Sequence, residues 1–343
     1  MGEYARCAAI ASAVIEKWPG AAIHFVLSRA APYAARVPFP ATLLPSSATF
    51  HSAAVIELMQ SWRPQVVLFD NAGRGAQLSA ARRLGARIIY ISARRRQRRK
   101  AFRMRWMRLI DEHWIAYPKF IAGELTFLER LKLKLLRRPV VRYLDVILAR
   151  APALNAAAIL SRSNCDAGNY VLVIPGGGTG HPGASAAVGE FLAAARTLAA
   201  RGAVTVFVGP ADLAAADTSL PANLRAVGAL PQAELGLLMR GARLIVANGG
   251  STLLQAIACG AACVAVPIAR DQAERVRRCV DRGVAVACPL EAARMAKTAA
   301  ALWDDEPARA ALAQRAAGLA LADGIGVAVA ALGDLIEPKP LGN

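Results

Sequence analysis

Residues 247–256 read ANGGSTLLQA, and this stretch decides the fold prediction. The apolar run at 244–246 predicts a buried strand, and the glycines predict a tight turn. A helix that opens with Ser251 and Thr252 follows, and a second apolar run at 262–266 predicts the next strand. Strand, glycine turn and helix start bring backbone N–H groups and the positive end of a helix dipole to one point. This arrangement predicts a phosphate site.

A second glycine loop lies earlier in the chain, where residues 175–181 read PGGGTGH after a predicted strand at 170–174. Such a loop cradles a diphosphate through backbone N–H groups. The alternative is a flexible turn, and His181 is either a phosphate neighbour or a surface histidine. The predicted contributors from this loop are Gly176, Gly177, Gly178 and Thr179.

The whole chain alternates predicted strands with predicted helices. The strands are expected at 23–27, 66–69, 87–92, 113–116, 170–174, 204–208, 224–227, 244–246, 262–266 and 284–287. This alternation is typical of α/β proteins with parallel sheets. Because 343 residues exceed the usual size of one core, we predict two domains, at 1–160 and 161–335.

The pattern around the first stretch resembles the donor-nucleotide site of GT-B glycosyltransferases. It is most similar to the UDP-sugar branch that includes the UDP-GlcNAc transferase of lipid II synthesis. The positions that carry the resemblance are Asn248, Gly249, Gly250, Ser251, Thr252, Gln255, Asp271 and Gln272. The resemblance implies two Rossmann-like domains with a central cleft, the C-terminal one binding a nucleotide sugar and the N-terminal one the acceptor. It implies an inverting, metal-independent reaction without a cofactor.

Two positions depart from the family pattern. The family usually has a glutamate where this chain has Gln255, and that glutamate accepts hydrogen bonds from both ribose hydroxyls, whereas a glutamine accepts one and must arrange its amide around the other. The family's N-terminal domain opens with a strand that leads into a glycine loop, and Gly2 already corresponds to that loop. We therefore predict an N-terminal domain that lacks its first strand, and a misassigned start codon is the favoured explanation.

The positive charge is concentrated in the N-terminal half. Residues 1–165 hold 27 Lys and Arg against 9 Asp and Glu, a net charge of +18, whereas the remainder holds 15 of each. Residues 94–108 alone carry nine basic residues and no carboxylate. A basic amphipathic segment suits an anionic membrane surface. The predicted membrane-binding residues are Arg94, Arg95, Arg96, Arg98, Arg99, Phe102 and Trp106.

The sequence allows two other interpretations of this charge. A solvated charged loop is the alternative, and nucleic-acid binding is disfavoured because no recognition helix, RNP motif or zinc site accompanies the charge.

The six cysteines show no CxxC pair, which favours reduced thiols, and no signal peptide is visible at the start of the sequence. We expect a cytoplasmic protein, peripheral on the inner face of the cell membrane.

An inverting transferase needs a base that deprotonates the acceptor hydroxyl. By position, the candidates are Glu3, in the first loop of the N-terminal domain, and Asp70, at the end of the strand at 66–69. The leading hypothesis is transfer of a sugar from a nucleotide sugar, a UDP-sugar by resemblance, to a lipid or polyisoprenoid-linked acceptor. The alternatives are a nucleotide-sugar hydrolase and a non-catalytic nucleotide-sugar-binding subunit of a two-component transferase.

Overall fold

The computed structural model describes residues 2–31, 33–149, 156–176, 184–209 and 220–336. These residues form two compact units. Unit 1 comprises the described residues of Met1–Ile147 and Ala322–Asn343, and unit 2 comprises those of Leu148–Leu321.

Unit 1 contains two separate parallel sheets. Its strands are β1 (Phe25–Ser28), β2 (Ala41–Leu44), β3 (Val66–Asp70), β4 (Arg87–Ser92), β5 (Glu112–Ile115) and β6 (Val140–Tyr143). Strand β1 pairs only with β2, and the larger sheet has the order β3-β4-β5-β6. Within the described residues no strand joins β1 to β3.

Helices lie before the first strand of unit 1 and between its later strands. They are α1 (Gly2–Lys17), α2 (Ser52–Trp62), α3 (Gly75–Arg83), α4 (Arg95–Ala101), α5 (Met104–Met107), α6 (Lys119–Ala122) and α7 (Phe127–Leu136). The central strand β4 is buried after its first residue, as expected for a parallel strand with both faces covered. Leu78 of α3 and Trp106 of α5 share one apolar cluster with Ile88 and Tyr90 of β4.

Unit 2 contains one six-stranded parallel sheet. Its strands are β7 (Val171–Ile174), β8 (Thr205–Val208), β9 (Leu224–Val227), β10 (Leu244–Asn248), β11 (Ala262–Val266) and β12 (Val286–Ala287). The order across the sheet is β12-β11-β10-β7-β8-β9. All residues of β10 and β11 are buried, which explains their apolar sequences.

Helices pack on the sheet of unit 2. They are α8 (Ala156–Arg162), α9 (Ala184–Ala200), α10 (Gln232–Gly241), α11 (Ser251–Ala258), α12 (Arg270–Asp281), α13 (Ala292–Asp304) and α14 (Glu306–Gly318). Helices α9 and α13 pack against each other, and their side chains Phe191 and Met295 lie fully buried in the core that contains Val173 and Val246. This core holds β7 and β10 next to each other.

The last described helix, α15 (Gly324–Ile336), returns to unit 1. It packs on α1, and the chain before it is tied to unit 1 by a hydrogen bond from the Ala322 N–H to Asp145 Oδ2 at 3.0 Å. The predicted boundary at 160 and the predicted C-terminal domain up to 335 therefore differ from the division that the structure shows. The physical reason is that the apolar residues of α15, such as Ile325 and Leu332, are buried in unit 1.

Candidate functional site

The carboxyl ends of β7 and β10 mark the switch point of the sheet in unit 2. The chain leaves β7 toward β8 on one side, whereas β10, β11 and β12 lie on the other side. Taken in chain order, the six strands follow the doubly wound order 3-2-1-4-5-6. In such sheets the loops that follow the two central strands diverge, and ligands bind in the crevice between them. Both predicted glycine loops follow these two strands.

Asn248 ties the two loops together. Its side chain is buried; Nδ2 donates to the carbonyl of Pro175 at 2.6 Å, and Oδ1 accepts from the Gly250 N–H at 2.8 Å. One neutral amide therefore fixes the spacing of the loop after β7 and the turn after β10. The sequence pattern identified Asn248 as a donor-site residue but not as this bridge.

The glycines at this point are required by the packing of the site itself. Gly176 has φ +81°, and a Cβ built on it would lie 1.8 Å from Asn248 Nδ2. A Cβ on Gly250 would lie 2.7 Å from Asn248 Oδ1, and one on Gly249 would lie 2.6 Å from Val276 Cγ2. The glycines thus let the Asn248 amide reach both loops, in addition to keeping the backbone open to a ligand.

Helix α11 begins at this turn with an open first turn. Gly250 is the residue before the helix and has no side chain with which to cap it. The first N–H groups of a helix have no intrahelical partner, so those of Ser251 and Thr252 point toward the crevice end of the helix axis. Both residues are half-buried, and the first turn of α11 carries no carboxylate. The helix dipole and these N–H groups favour an anion here.

Helix α12 supports the turn from the other side. Gln272 is buried, and its Oε1 accepts from the Ile268 N–H at 3.0 Å. Arg275, which the sequence reasoning missed, is also buried and donates from Nη1 to the Gly249 carbonyl at 2.6 Å. The spacing of the buried residues Gln272, Val276 and Cys279 is the signal that marks the inner face of α12.

The remaining predicted donor residues are on helices α11 and α12 and in the loop after β7. Gln255 lies one turn into α11 and is buried, and Asp271 is exposed in the first turn of α12. Their predicted contacts with a nucleotide stay predictions. Gly177, Gly178 and Thr179, together with His181, lie outside the described residues.

No protein-family model matches the sequence, and no curated protein sequence matches it. Among solved structures, the glycosyltransferase VinC in complex with dTDP is similar, with a TM-score of 0.66 and 14% identity over 97% of this chain and 96% of VinC. Acinetobacter baumannii MurG is similar with a TM-score of 0.60 and 15% identity, over 97% of this chain and 96% of MurG. A putative UDP-N-acetylglucosamine 2-epimerase from Listeria monocytogenes has a TM-score of 0.61 and 14% identity, over 99% of this chain and 95% of the epimerase.

The chain has the GT-B fold. The fold class predicted from the sequence is therefore confirmed over nearly the whole length of the chain. Because the similar structures include both a glycosyltransferase and a putative epimerase, the fold alone does not name the reaction.

The two predicted catalytic carboxylates of the GT-B N-terminal unit lie close together but differ in environment. Asp70 is buried and forms a bidentate ion pair with Arg6, with 2.8 Å from Arg6 Nε to Oδ2 and 2.8 Å from Nη2 to Oδ1. Burial raises the pKa of the Asp70 carboxyl, and Arg6 opposes that rise. Glu3 is exposed in the first turn of α1 and accepts from Asn71 Nδ2 at 2.9 Å.

Unit 1 also contains a serine–histidine pair, Ser92 and His113, of the kind found in some catalytic sites. Here both residues lie in the core. Ser92 Oγ and His113 Nε2 lie 2.8 Å apart, and both side chains are buried. Burial, followed by the charge of Arg98, lowers the pKa of His113 to about 3, so the ring is neutral. This pair is best explained as part of the core.

In the basic segment at 94–108, the burial of three residues contradicts part of the membrane prediction. Phe102 and Trp106 are only 3% and 2% exposed, because they pack into the core around His113 and Tyr90. Arg98 is buried as well, so these three residues are not available to a membrane and the prediction is wrong for them. The four exposed arginines of the predicted set are Arg94, Arg95, Arg96 and Arg99.

Across the described residues, no group of three or more His, Cys, Asp or Glu is arranged to hold a metal ion. None of the helices in the described part of the chain has both the length and the hydropathy needed to cross a bilayer.

Proposed function

We propose that this protein is a glycosyltransferase that moves a sugar from a nucleotide sugar to a membrane-associated lipid or polyisoprenoid-linked acceptor. The observation that carries the proposal is the open first turn of α11 at the switch point between β7 and β10. An uncharged helix start beside two glycine loops binds the diphosphate of a nucleotide sugar through backbone N–H groups. We propose UDP as the nucleotide because the pattern from Asn248 to Gln272 resembles the UDP-sugar branch.

In the proposed reaction, a base takes the proton of the acceptor hydroxyl while the oxygen attacks the anomeric carbon of the sugar. The bond from that carbon to the diphosphate oxygen breaks, and the electron pair leaves with the nucleoside diphosphate. The N–H groups of the first turn of α11 stabilise the charge that develops on the leaving group. One displacement inverts the anomeric configuration, and no step of this scheme needs a metal.

Glu3 is the better of the two candidate bases. Its carboxylate is exposed and makes one hydrogen bond with Asn71, whereas Arg6 occupies both oxygens of the buried Asp70 carboxylate. A general base must reach the proton that it removes. Asp70 is then a positioning residue that holds α1 against the end of β3 through Arg6.

The charge distribution supports a membrane acceptor. The excess positive charge of the chain lies within residues 1–165, and Arg94, Arg95, Arg96 and Arg99 are exposed. Exposed arginines attract anionic lipid headgroups. We therefore propose that the protein works in the cytoplasm as a peripheral protein on the inner face of the cell membrane.

A donor screen tests this function. Thermal unfolding of the full chain is followed with UDP-, GDP-, dTDP- and CMP-sugars, and a ligand at 100 times its dissociation constant stabilises by about 2.7 kcal/mol. We expect a UDP-sugar to give the largest shift, and a chain stabilised by none of the four would contradict the proposal.

The stabilising donor is then incubated with and without lipid-linked acceptor, and the products are separated by chromatography. Sugar transferred only when the acceptor is present supports the transferase. Free sugar released without the acceptor identifies the hydrolase instead, and binding without turnover identifies the non-catalytic subunit.

A further inference from the structure

Helix α7 exposes an apolar stripe to solvent. Phe127, Leu128, Leu131 and Leu135 have 72%, 64%, 51% and 70% of their surface exposed, and no residue of the helix is fully buried. At 100° per residue, the four positions fall within about 100° of the helix circumference and therefore form one face. Single exposed leucines are ordinary on protein surfaces, but a contiguous apolar stripe marks an interaction surface.

The polar residues of α7 hold this orientation in place. The helix begins with a capping box in which the side chains of Thr126 and Glu129 exchange hydrogen bonds with each other's backbone N–H groups. Glu129 also pairs with buried Arg98, with 2.7 Å from Arg98 Nη2 to Glu129 Oε2. Lys132 Nζ donates to the Phe102 carbonyl at 3.1 Å. The helix therefore turns Glu129 and Lys132 toward the protein, whereas four of its six large apolar residues are exposed to solvent.

Basic residues flank the apolar stripe. Arg130, Lys134 and Arg137 are exposed. At 100° per residue Arg130 and Lys134 lie together on one side of the stripe, and Arg137 directly follows the last residue of the helix. Glu129 is the one carboxylate in the helix sequence, and it is directed to Arg98. The outward face of α7 is thus half apolar and half cationic.

We propose that α7 docks on an anionic lipid surface. Its apolar stripe enters the boundary between headgroups and acyl chains, and Arg130, Lys134 and Arg137 contact lipid phosphates. Charge complementarity favours a lipid surface over a protein partner, because cations beside a shallow apolar stripe match a headgroup layer. The inference deepens the proposed function, since it names the surface by which the protein reaches a lipid-linked acceptor.

Vesicle sedimentation tests this assignment on the full chain. Wild type is compared with a double variant, Leu131→Ser with Leu135→Ser, and with a triple variant, Arg130→Gln with Lys134→Gln and Arg137→Gln. Phe50→Ser is the matched apolar control, because Phe50 is 70% exposed on another segment of unit 1. Vesicles are made of phosphatidylcholine with or without phosphatidylglycerol, at low and physiological salt.

We expect wild type and Phe50→Ser to bind the phosphatidylglycerol vesicles, and both α7 variants to bind at least about tenfold more weakly. Equal binding of the α7 variants, or no binding of wild type at low salt, overturns the proposal. A wild-type dimer that the leucine variant abolishes, with vesicle binding unchanged, overturns it in favour of a second copy of the chain.

Nucleotide-induced thermal shifts of the same variants separate the two proposals. We expect these shifts to match wild type in both α7 variants. If no protein responds to nucleotide while vesicle binding still depends on α7, the proposed transferase fails and the docking surface stands.

Discussion

The starts of α1 in unit 1 and α11 in unit 2 are built from opposite chemistry. Helix α1 carries Glu3 in its first turn and lies against the buried carboxylate of Asp70, whose charge Arg6 balances. Helix α11 starts after Gly250 with two hydroxyl residues, and the neutral amide of Asn248 organises its turn. A helix start lined by carboxylates repels a phosphate, whereas an uncharged start attracts it. The comparison therefore favours unit 2 as the place of the proposed nucleotide site.

The largest expected effect is a loss of folding stability in unit 1 when Arg6 is replaced. Arg6→Ala leaves the buried Asp70 carboxylate without its ion-pair partner, and such losses destabilise by about 3–5 kcal/mol. Denaturant unfolding measures the loss, and Arg29→Ala, an exposed arginine of the same unit, is expected to stay within about 0.5 kcal/mol of wild type.

Replacing both Arg6 and Asp70 tests whether the lost stability comes from a buried charge without its partner. A double variant with Arg6→Met and Asp70→Leu removes both charges and is expected to recover most of the lost stability. If Arg6→Ala alone costs less than about 1 kcal/mol, the pair does not anchor α1 to β3, and Asp70 returns as a candidate base.

A smaller effect is expected from the amide bridge in unit 2. Asn248→Ala removes the hydrogen bonds to the Pro175 carbonyl and from the Gly250 N–H, which leaves a buried carbonyl and a half-buried N–H without this partner. A lost buried partner costs about 1–3 kcal/mol, and we expect a similar loss in nucleotide binding energy by calorimetry. Asn169→Ala, an exposed asparagine before β7, is the control, and equal affinities of the two variants would refute the bridge.

Gln255 is expected to contribute less. If its side chain contacts the ribose, Gln255→Ala weakens UDP binding by about 1–2 kcal/mol, whereas Gln255→Glu keeps or improves it. Gln314→Ala, an exposed glutamine in α14, should bind like wild type. Equal UDP affinity in all these proteins would mean that Gln255 does not occupy the ribose position of the family.

The sequence predicted the elements whose pattern is local. The strands β9, β4 and β11 have the predicted bounds, and the turn at Gly249 and Gly250 has the predicted place between β10 and α11. These predictions succeed because buried parallel strands need continuous apolar runs and a tight turn favours glycine.

The sequence could not predict what covers each apolar face. Residues 94–108 and helix α7 both mix basic and apolar residues, yet Phe102 and Trp106 are buried whereas Phe127 and Leu135 are exposed. An amphipathic pattern shows that one face is apolar, but the packing partner comes from distant parts of the chain. For the same reason, the return of α15 to unit 1 and the contact of Arg275 with Gly249 were missed.

The most direct test of a nucleotide site in unit 2 is to give α11 the acidic start that α1 has. We would measure UDP affinity by calorimetry for Ser251→Asp and for the uncharged control Ser251→Asn. A carboxylate in the first turn of a helix does not destabilise the helix, so both proteins should fold. We predict that Ser251→Asp binds UDP at least about tenfold more weakly than Ser251→Asn, a difference in binding free energy of ~1.4 kcal/mol. Equal affinity of the two variants would contradict it.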